Sequence, residues 1–176
     1  FFILFNFEYL ENFNRLQYII ERYQIFFNVL NNNFLRESAW GNHFITAYNI
    51  FEDNILTGIG IKMFQTECIN YASEFKYACT SHPHNLYLEI ASESGILNLL
   101  IIIIIFFNII KIFFKYLLRK NYNNVEIFIF CLSICLLIYA FPFRSTGSFF
   151  NNYNSSFFWV YLSLLFTLNK NEITKK

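Results

Sequence analysis

The side chains best suited to acid–base chemistry lie in one polar stretch, from Thr80 to Gly95. His84 directly follows Pro83, a residue that suits the first turn of a helix because its missing N–H would have no partner there. We therefore expect His84 in the first turn of a helix that ends at Gly95. The positive partial charge at a helix N-terminus disfavours imidazolium, so such a histidine stays neutral near pH 7. A neutral imidazole is the form that can accept a proton; the alternative is that His84 only caps the helix or packs against it.

A polar stripe follows on the same predicted helix, formed by Asn85, Ser92 and the carboxylates of Glu89 and Glu93. Carboxylates at the edge of a membrane segment need water, cations or a polar ligand around them. Two interpretations stay open at this point. The stripe binds a polar ligand, or it faces water as a solvated helix beside the membrane.

The composition places the chain among membrane proteins. Of its 176 residues, 56% are hydrophobic and 22% aromatic, which is not the mixture of a soluble globular protein. The formal net charge of +1 gives no reason to expect a nucleic acid partner. We expect an all-α polytopic fold that forms part of a larger helical bundle.

Three apolar segments follow the polar stretch and predict transmembrane helices at residues 96–118, 127–143 and 149–168. The first is long enough to cross a hydrocarbon core of ~30 Å, which takes roughly 20 apolar residues. Basic residues at its end and in the tail at 169–176 mark both as cytoplasmic by the positive-inside rule. Residues 1–7 then indicate the end of an upstream span. Residues 8–95 are expected to form a large loop on the outer face, with short helices.

The outer loop contains one amphipathic segment. From Glu37 onward, apolar residues recur at a spacing of three to four and predict a helix of about four turns. Its apolar side is expected to pack on the spans or the membrane surface, through Trp40, Phe44, Ala47, Tyr48, Phe51 and Ile55. Gly58 and Gly60 follow. They lack the third glycine of a phosphate-binding loop, so we interpret them as giving the backbone freedom to turn.

A metal site in this region would use Cys68, Cys79, His82 and His84. Their spacing fits no common zinc pattern. We predict no metal and no cofactor.

Two stretches resemble a known family. The pattern H-N-x-x-L-E-x-x-x-E-x-G runs from His84 to Gly95 and leads into an apolar segment. Upstream, Arg36 precedes the amphipathic helix, which is followed by a D-x-x-x-x-G-x-G turn beginning at Asp53. Over roughly residues 36–110, this arrangement resembles the O-antigen ligase and polymerase family of bacterial envelope glycosyltransferases.

The resemblance implies a multi-pass enzyme of the bacterial inner membrane with a large periplasmic loop. Such an enzyme moves a glycan from an undecaprenyl-diphosphate carrier to a lipid or glycan acceptor, among membrane lipids and without metal or nucleotide sugar. By this resemblance, Arg36 would clamp the diphosphate and His84 would take the proton of the acceptor hydroxyl. The remaining candidate substrate-binding residues are Asn85, Glu89, Glu93 and Arg144.

Two alternatives to ligase activity stay open. A polysaccharide polymerase would share every feature named above, since only the acceptor differs. A non-catalytic scaffold whose outer loop docks a partner would not need Arg36 and His84 to face one cavity.

Cys68 and Cys79 lie in the loop assigned to the periplasm, a compartment where disulfides persist. Each lies in a polar segment where a free thiol would be exposed to oxidation. We expect them to form a disulfide that closes the loop presenting His84. By chain entropy, this bond would contribute roughly 3 kcal/mol.

Overall fold

The computed structural model describes residues 17, 38–71, 77 and 79–174 of the chain. Arg36 lies outside the described residues. Within this part the chain forms five α helices and no β strand, which confirms the all-α prediction. The helices are α1 Ala39–Asp53, α2 Phe64–Glu67, α3 Leu86–Leu117, α4 Asn124–Tyr139 and α5 Asn152–Thr174, and a 3-10 turn at Cys68–Tyr71 directly follows α2.

Helix α1 begins after Ser38, whose hydroxyl accepts the Gly41 N–H at 2.9 Å, and its 15 residues make the predicted four turns. The face that it buries matches the predicted apolar one only in part, through the fully buried Ala47. The aromatic residues Trp40 and Tyr48 are 48% and 49% exposed, whereas several uncharged polar residues of the helix are buried. Those buried residues include Asn42, His43 and Thr46. The polar residues are buried because α1 packs against α3 beside its polar beginning, where His43 lies next to His84.

Helix α3 consists of two segments that meet at Gly95. This glycine has φ 81° and ψ −179°, which interrupts the helical backbone and confirms a break at that position. The chain then continues directly as a second helical segment. The polar residues lie before the break, and the run of isoleucine, leucine and phenylalanine lies after it.

Helix α3 is, within the described part of the chain, the one helix long and apolar enough to cross a membrane. Helix α4 is apolar, but its 16 residues extend only about 24 Å. Helix α5 has 23 residues, carries more polar side chains, and continues through most of the predicted tail. The second and third spans and the periplasmic position of the loop stay predictions.

Helices α3, α4 and α5 pack side by side in chain order. Their shared core is aliphatic and aromatic, and its fully or almost fully buried members include Ile109, Tyr116, Ile129, Leu136, Phe158 and Leu165. This packing fixes the loop between α4 and α5, residues 140–151, over the beginning of α3. We refer to it as the α4–α5 loop.

The turn after α1 docks its backbone on the break in α3. Ile59 donates its N–H to the Ser92 carbonyl at 3.0 Å, and Gly60 donates to the Glu93 carbonyl at 2.9 Å. Carbonyl groups at a helix end have no partner within the helix, so this turn supplies the missing donors. The D-x-x-x-x-G-x-G segment therefore acts as a cap for the polar half of α3.

Glycine is required for this close approach. Gly58 and Gly60 have φ of 63° and 105°, which confirms the interpretation that they supply backbone freedom. A Cβ on Gly58 would lie 2.4 Å from the backbone carbon of Glu93, and a Cβ on Gly95 would lie 2.3 Å from the Leu56 carbonyl oxygen. Both contacts are with backbone atoms, which cannot rotate away.

Candidate active site

His84 lies just before α3 rather than in its first turn. The helix begins at Leu86, and Asn85 is its N-cap, accepting two backbone N–H bonds of the first turn with its side-chain oxygen. The expectation of a first-turn histidine is therefore wrong, because asparagine is the stronger capping residue. His84 has φ 58°, in the left-handed region that residues other than glycine adopt rarely. Strained backbone of this kind occurs preferentially at functional sites.

The His84 imidazole is kept neutral by a cause other than the one predicted from sequence. Burial lowers its pKa below the ordinary 6.5, and charge on His82 lowers it further. The Thr146 backbone and the Glu89 carboxylate raise the pKa and oppose these effects only in part. His84 is thus available as a proton acceptor near pH 7.

All three histidines of the chain meet at this point. The His84 ring centroid lies 4.2 Å from that of His82 and 5.6 Å from that of His43, which comes from α1. We call these three residues the histidine cluster. His43 is 8% exposed, and burial followed by the nearby His84 and His82 lowers its pKa. His43 and His84 are therefore predominantly neutral at neutral pH.

The α4–α5 loop covers the histidine cluster. The Thr146 N–H donates to the His84 carbonyl at 3.0 Å, and the Thr146 carbonyl lies 3.2 Å from His82 Nε2. Asn85 Nδ2 donates to the Pro142 carbonyl at 2.7 Å. The backbone that presents His84 and the α4–α5 loop thus hold one another in place.

The carboxylates of Glu89 and Glu93 are 0% and 1% exposed. Glu89 accepts hydrogen bonds from the Ser148 hydroxyl at 2.5 Å and the Phe149 N–H at 2.8 Å. Glu93 accepts from the Lys62 N–H at 2.6 Å and from one further backbone N–H. Both side chains hold loops against α3. The substrate-binding roles expected for them and for Asn85 stay predictions.

Arg144 is exposed, and its Nη1 lies 3.3 Å from the Ile138 carbonyl. It lines a groove of about 290 Å³ between α4 and α5, together with Tyr139, Tyr153, Asn154, Phe157 and Tyr161 among others. The groove combines one cation with aromatic walls. Arg36 lies outside the described residues, so its predicted approach to His84 stays a prediction.

Cys68 and Cys79 are joined by a disulfide, with Cα atoms 5.1 Å apart. This separation is ordinary for such a bond. The bond links the 3-10 turn after α2 to the segment that leads into the histidine cluster. It therefore ties the turn after α2 to the segment that leads to His82 and His84.

A comparison with known protein families covers the part of the chain that contains the histidine cluster. The family model described as O-Antigen ligase matches residues 1–103. This chain belongs to the O-antigen ligase family. The matched range contains Arg36, the glycine turn and the histidine cluster. No curated protein and no solved structure gives a significant match to the chain.

Reasoning from sequence missed His43 and Thr146. His43 lies in the middle of a predicted helix, and Thr146 belongs to no motif. One signal was present: Asn42, His43 and Thr46 are polar residues within about one turn of a helix that is otherwise rich in aromatics. Such a polar patch indicates a helix face that packs against polar groups.

Proposed function

We propose that this member of the O-antigen ligase family transfers a glycan from undecaprenyl diphosphate to an acceptor hydroxyl at the periplasmic face of the bacterial inner membrane. The observation that supports this most is the position of His84. Its half-buried imidazole has a lowered pKa and lies where α1, the α4–α5 loop and the beginning of an apolar, membrane-length helix meet. A base so placed suits a hydroxyl acceptor and a lipid-linked donor.

The proposed reaction is a substitution at the anomeric carbon of the donor sugar. The acceptor oxygen forms a bond to this carbon while the bond from the carbon to the diphosphate oxygen breaks. The electron pair of the broken bond leaves with undecaprenyl diphosphate. His84 takes the proton of the acceptor hydroxyl, so no free alkoxide has to form.

The leaving diphosphate needs positive charge. A guanidinium bonds two phosphate oxygens at once, so Arg36 is assigned to the diphosphate, as the family resemblance implies. Arg144 is assigned a supporting role toward the same phosphates or the polyprenyl chain, since its groove offers a cation beside aromatic side chains. Asn85, Glu89 and Glu93 support the reaction by holding the surrounding loops.

The test is the change His84→Ala in the intact membrane protein. We expect transfer to fall by roughly 10²- to 10⁴-fold, the range typical of a lost general base. Transfer is measured as glycan joined to lipid A–core oligosaccharide or, for a polymerase, to a second lipid-linked repeat unit. The control is Asn70→Ala, which changes an exposed side chain in the same region.

Both variants are expected to accumulate in the membrane and unfold at the parental temperature. Transfer by His84→Ala within a few-fold of the parent would overturn the proposed function. So would failure of the parent protein to use either acceptor.

A further inference from the structure

Three buried side-chain atoms have no hydrogen-bond partner among the described residues: His43 Nδ1, Thr46 Oγ1 and Thr146 Oγ1. Two of these three residues contact His84. The His43 ring is a direct neighbour of the His84 ring, and Thr146 bonds the His84 backbone. Thr46 lies one helical turn from His43 on the same buried face of α1.

Leaving such atoms unpaired is unfavourable. A buried polar group without a partner loses its bonds to water and gains none in return, and most proteins contain few of them. His43 and Thr146 are each only 8% exposed, and Thr46 is 0% exposed. Folding alone gives no reason to place two such groups on neighbours of His84 and a third one helical turn from His43. A polar ligand that enters beside His84 would supply the missing partners.

The chemistry of these atoms indicates the kind of ligand. A hydroxyl group donates and accepts, and so does a neutral imidazole through its two nitrogens. A phosphate would instead require cations, and around His84 the described residues supply two further imidazoles and the Glu89 carboxylate. A neutral sugar hydroxyl therefore matches these groups better than the donor diphosphate does.

We propose that His43 and Thr146 form a subsite that binds a sugar hydroxyl of the acceptor and orients the acceptor toward His84. This inference rests on the proposed function and adds to it two residues that determine acceptor binding. His43 contributes Nδ1 and Thr146 its side-chain hydroxyl. The proton is transferred to His84, and neither of the two subsite residues takes it.

The decisive change is His43→Leu, which removes the polar atoms and retains much of the volume. Because a neutral hydrogen bond is lost, the KM for the acceptor is expected to rise roughly three- to tenfold, with a smaller change in kcat. His43→Asn, whose amide can take the place of Nδ1, should recover part of the affinity. The acceptor probe is whichever of lipid A–core oligosaccharide or lipid-linked repeat unit the parent protein uses.

Thr146→Val is the second variant, because it removes the hydroxyl and leaves the backbone bonds to His84 and His82 in place. We expect a similar rise in acceptor KM. The double variant should lose less than the product of the two single effects if both residues bind one hydroxyl. The KM for the lipid-linked donor should not change in any of these variants.

Thermal unfolding separates a binding role from a purely structural one. Removing an unpaired buried polar group in favour of an apolar one should leave the unfolding temperature equal or higher. A stable His43→Leu protein with an unchanged acceptor KM would show that these atoms hold only water, and would overturn the subsite. That result differs from failure of the proposed function, in which His84→Ala would remain active.

Discussion

The two ends of α3 differ in whether their buried polar groups all have hydrogen-bond partners. At the Leu117 end, Glu126 is 2% exposed, completes a capping box with Asn123 and pairs with Arg119. The Asn123 amide also donates to Glu172 at 3.2 Å. At the Leu86 end, Glu89 and Glu93 are equally well bonded, yet the same end also carries the unpaired atoms of His43, Thr46 and Thr146.

This contrast separates groups that support the fold from groups available to a ligand. The carboxylates at both ends accept hydrogen bonds from backbone and side-chain donors, so they stabilise the fold. The unpaired atoms occur only at the end that carries the histidine cluster, within the part of the chain described here. Polar atoms that the fold leaves without a hydrogen-bond partner are able to bond a ligand, as a binding site requires.

The largest effect is expected from Gly58→Ala, which breaks the docking of the glycine turn on α3. A Cβ there would lie 2.4 Å from backbone of Glu93, and φ is 63°, which alone costs roughly 1–2 kcal/mol for a residue with a Cβ. We expect a large fall in unfolding temperature and loss of transfer. Thermal unfolding of the purified protein and the transfer assay measure both.

Gly147→Ala is the matched control for this change. Its Cβ would approach only the end of the Asn154 side chain, at 3.0 Å, and that side chain can move. The control should keep nearly all of its stability. Equal losses in the two variants would mean that the close approach at Gly58 is not what holds the Leu86 end together.

The next-largest effects are expected when two buried carboxylates are substituted, one near each end of α3. Glu89→Ala leaves the Ser148 hydroxyl and the Phe149 N–H without their acceptor, and Glu126→Ala removes a capping box. Each should cost about 1–3 kcal/mol of unfolding free energy. Only Glu89→Ala should also lower transfer per folded molecule, because it releases the loop that carries Thr146. Equal specific activities in the folded fractions would contradict this distinction.

The fold was predictable where one periodic pattern dominates. The apolar run after Gly95 predicts a membrane-length helix by itself, and the glycines mark where backbones must come close. The buried face of α1 could be derived this way only in part. Hydrophobicity selects the aromatic side, but α1 packs against α3 beside its polar beginning, and that pairing joins segments distant in the sequence.

The site was predictable only in part for the same reason. The pattern from His84 to Gly95 locates the histidine that we propose as the base. Its lowered pKa agrees with the neutral imidazole expected from sequence, but the cause is burial rather than a helix end. The capping strength of Asn85 displaces His84 from the helix. His43 and Thr146 join the site through tertiary packing, which no local spacing encodes.

The smallest effect is expected from His82→Gln, which tests the electrostatics of the Leu86 end without removing the base. Positive charge on His82, 4.2 Å away between ring centroids, lowers the pKa of His84, and glutamine removes that charge while retaining a donor toward the Thr146 carbonyl. The pKa of His84 should therefore rise toward 6.5, although burial still keeps it lower. Because the base must be neutral, the acidic limb of the transfer rate should move to higher pH. The variant should be a few-fold slower than the parent on that limb and equal to it near pH 8.

The control removes a positive charge from the opposite end of α3. Arg119→Gln acts about 48 Å of helix away, far beyond a screening length of roughly 8–10 Å, so it should leave the pH profile unchanged. Its cost in stability should be about 1–3 kcal/mol, because the buried Glu126 loses its charged partner. An acidic limb that stays in place in His82→Gln, or that moves equally in both variants, would show that His82 does not tune the base. If the limb moved equally in both variants, the pKa of the proton acceptor would depend on the net charge of the whole protein. With either result, the difference between the two ends of α3 would not affect catalysis.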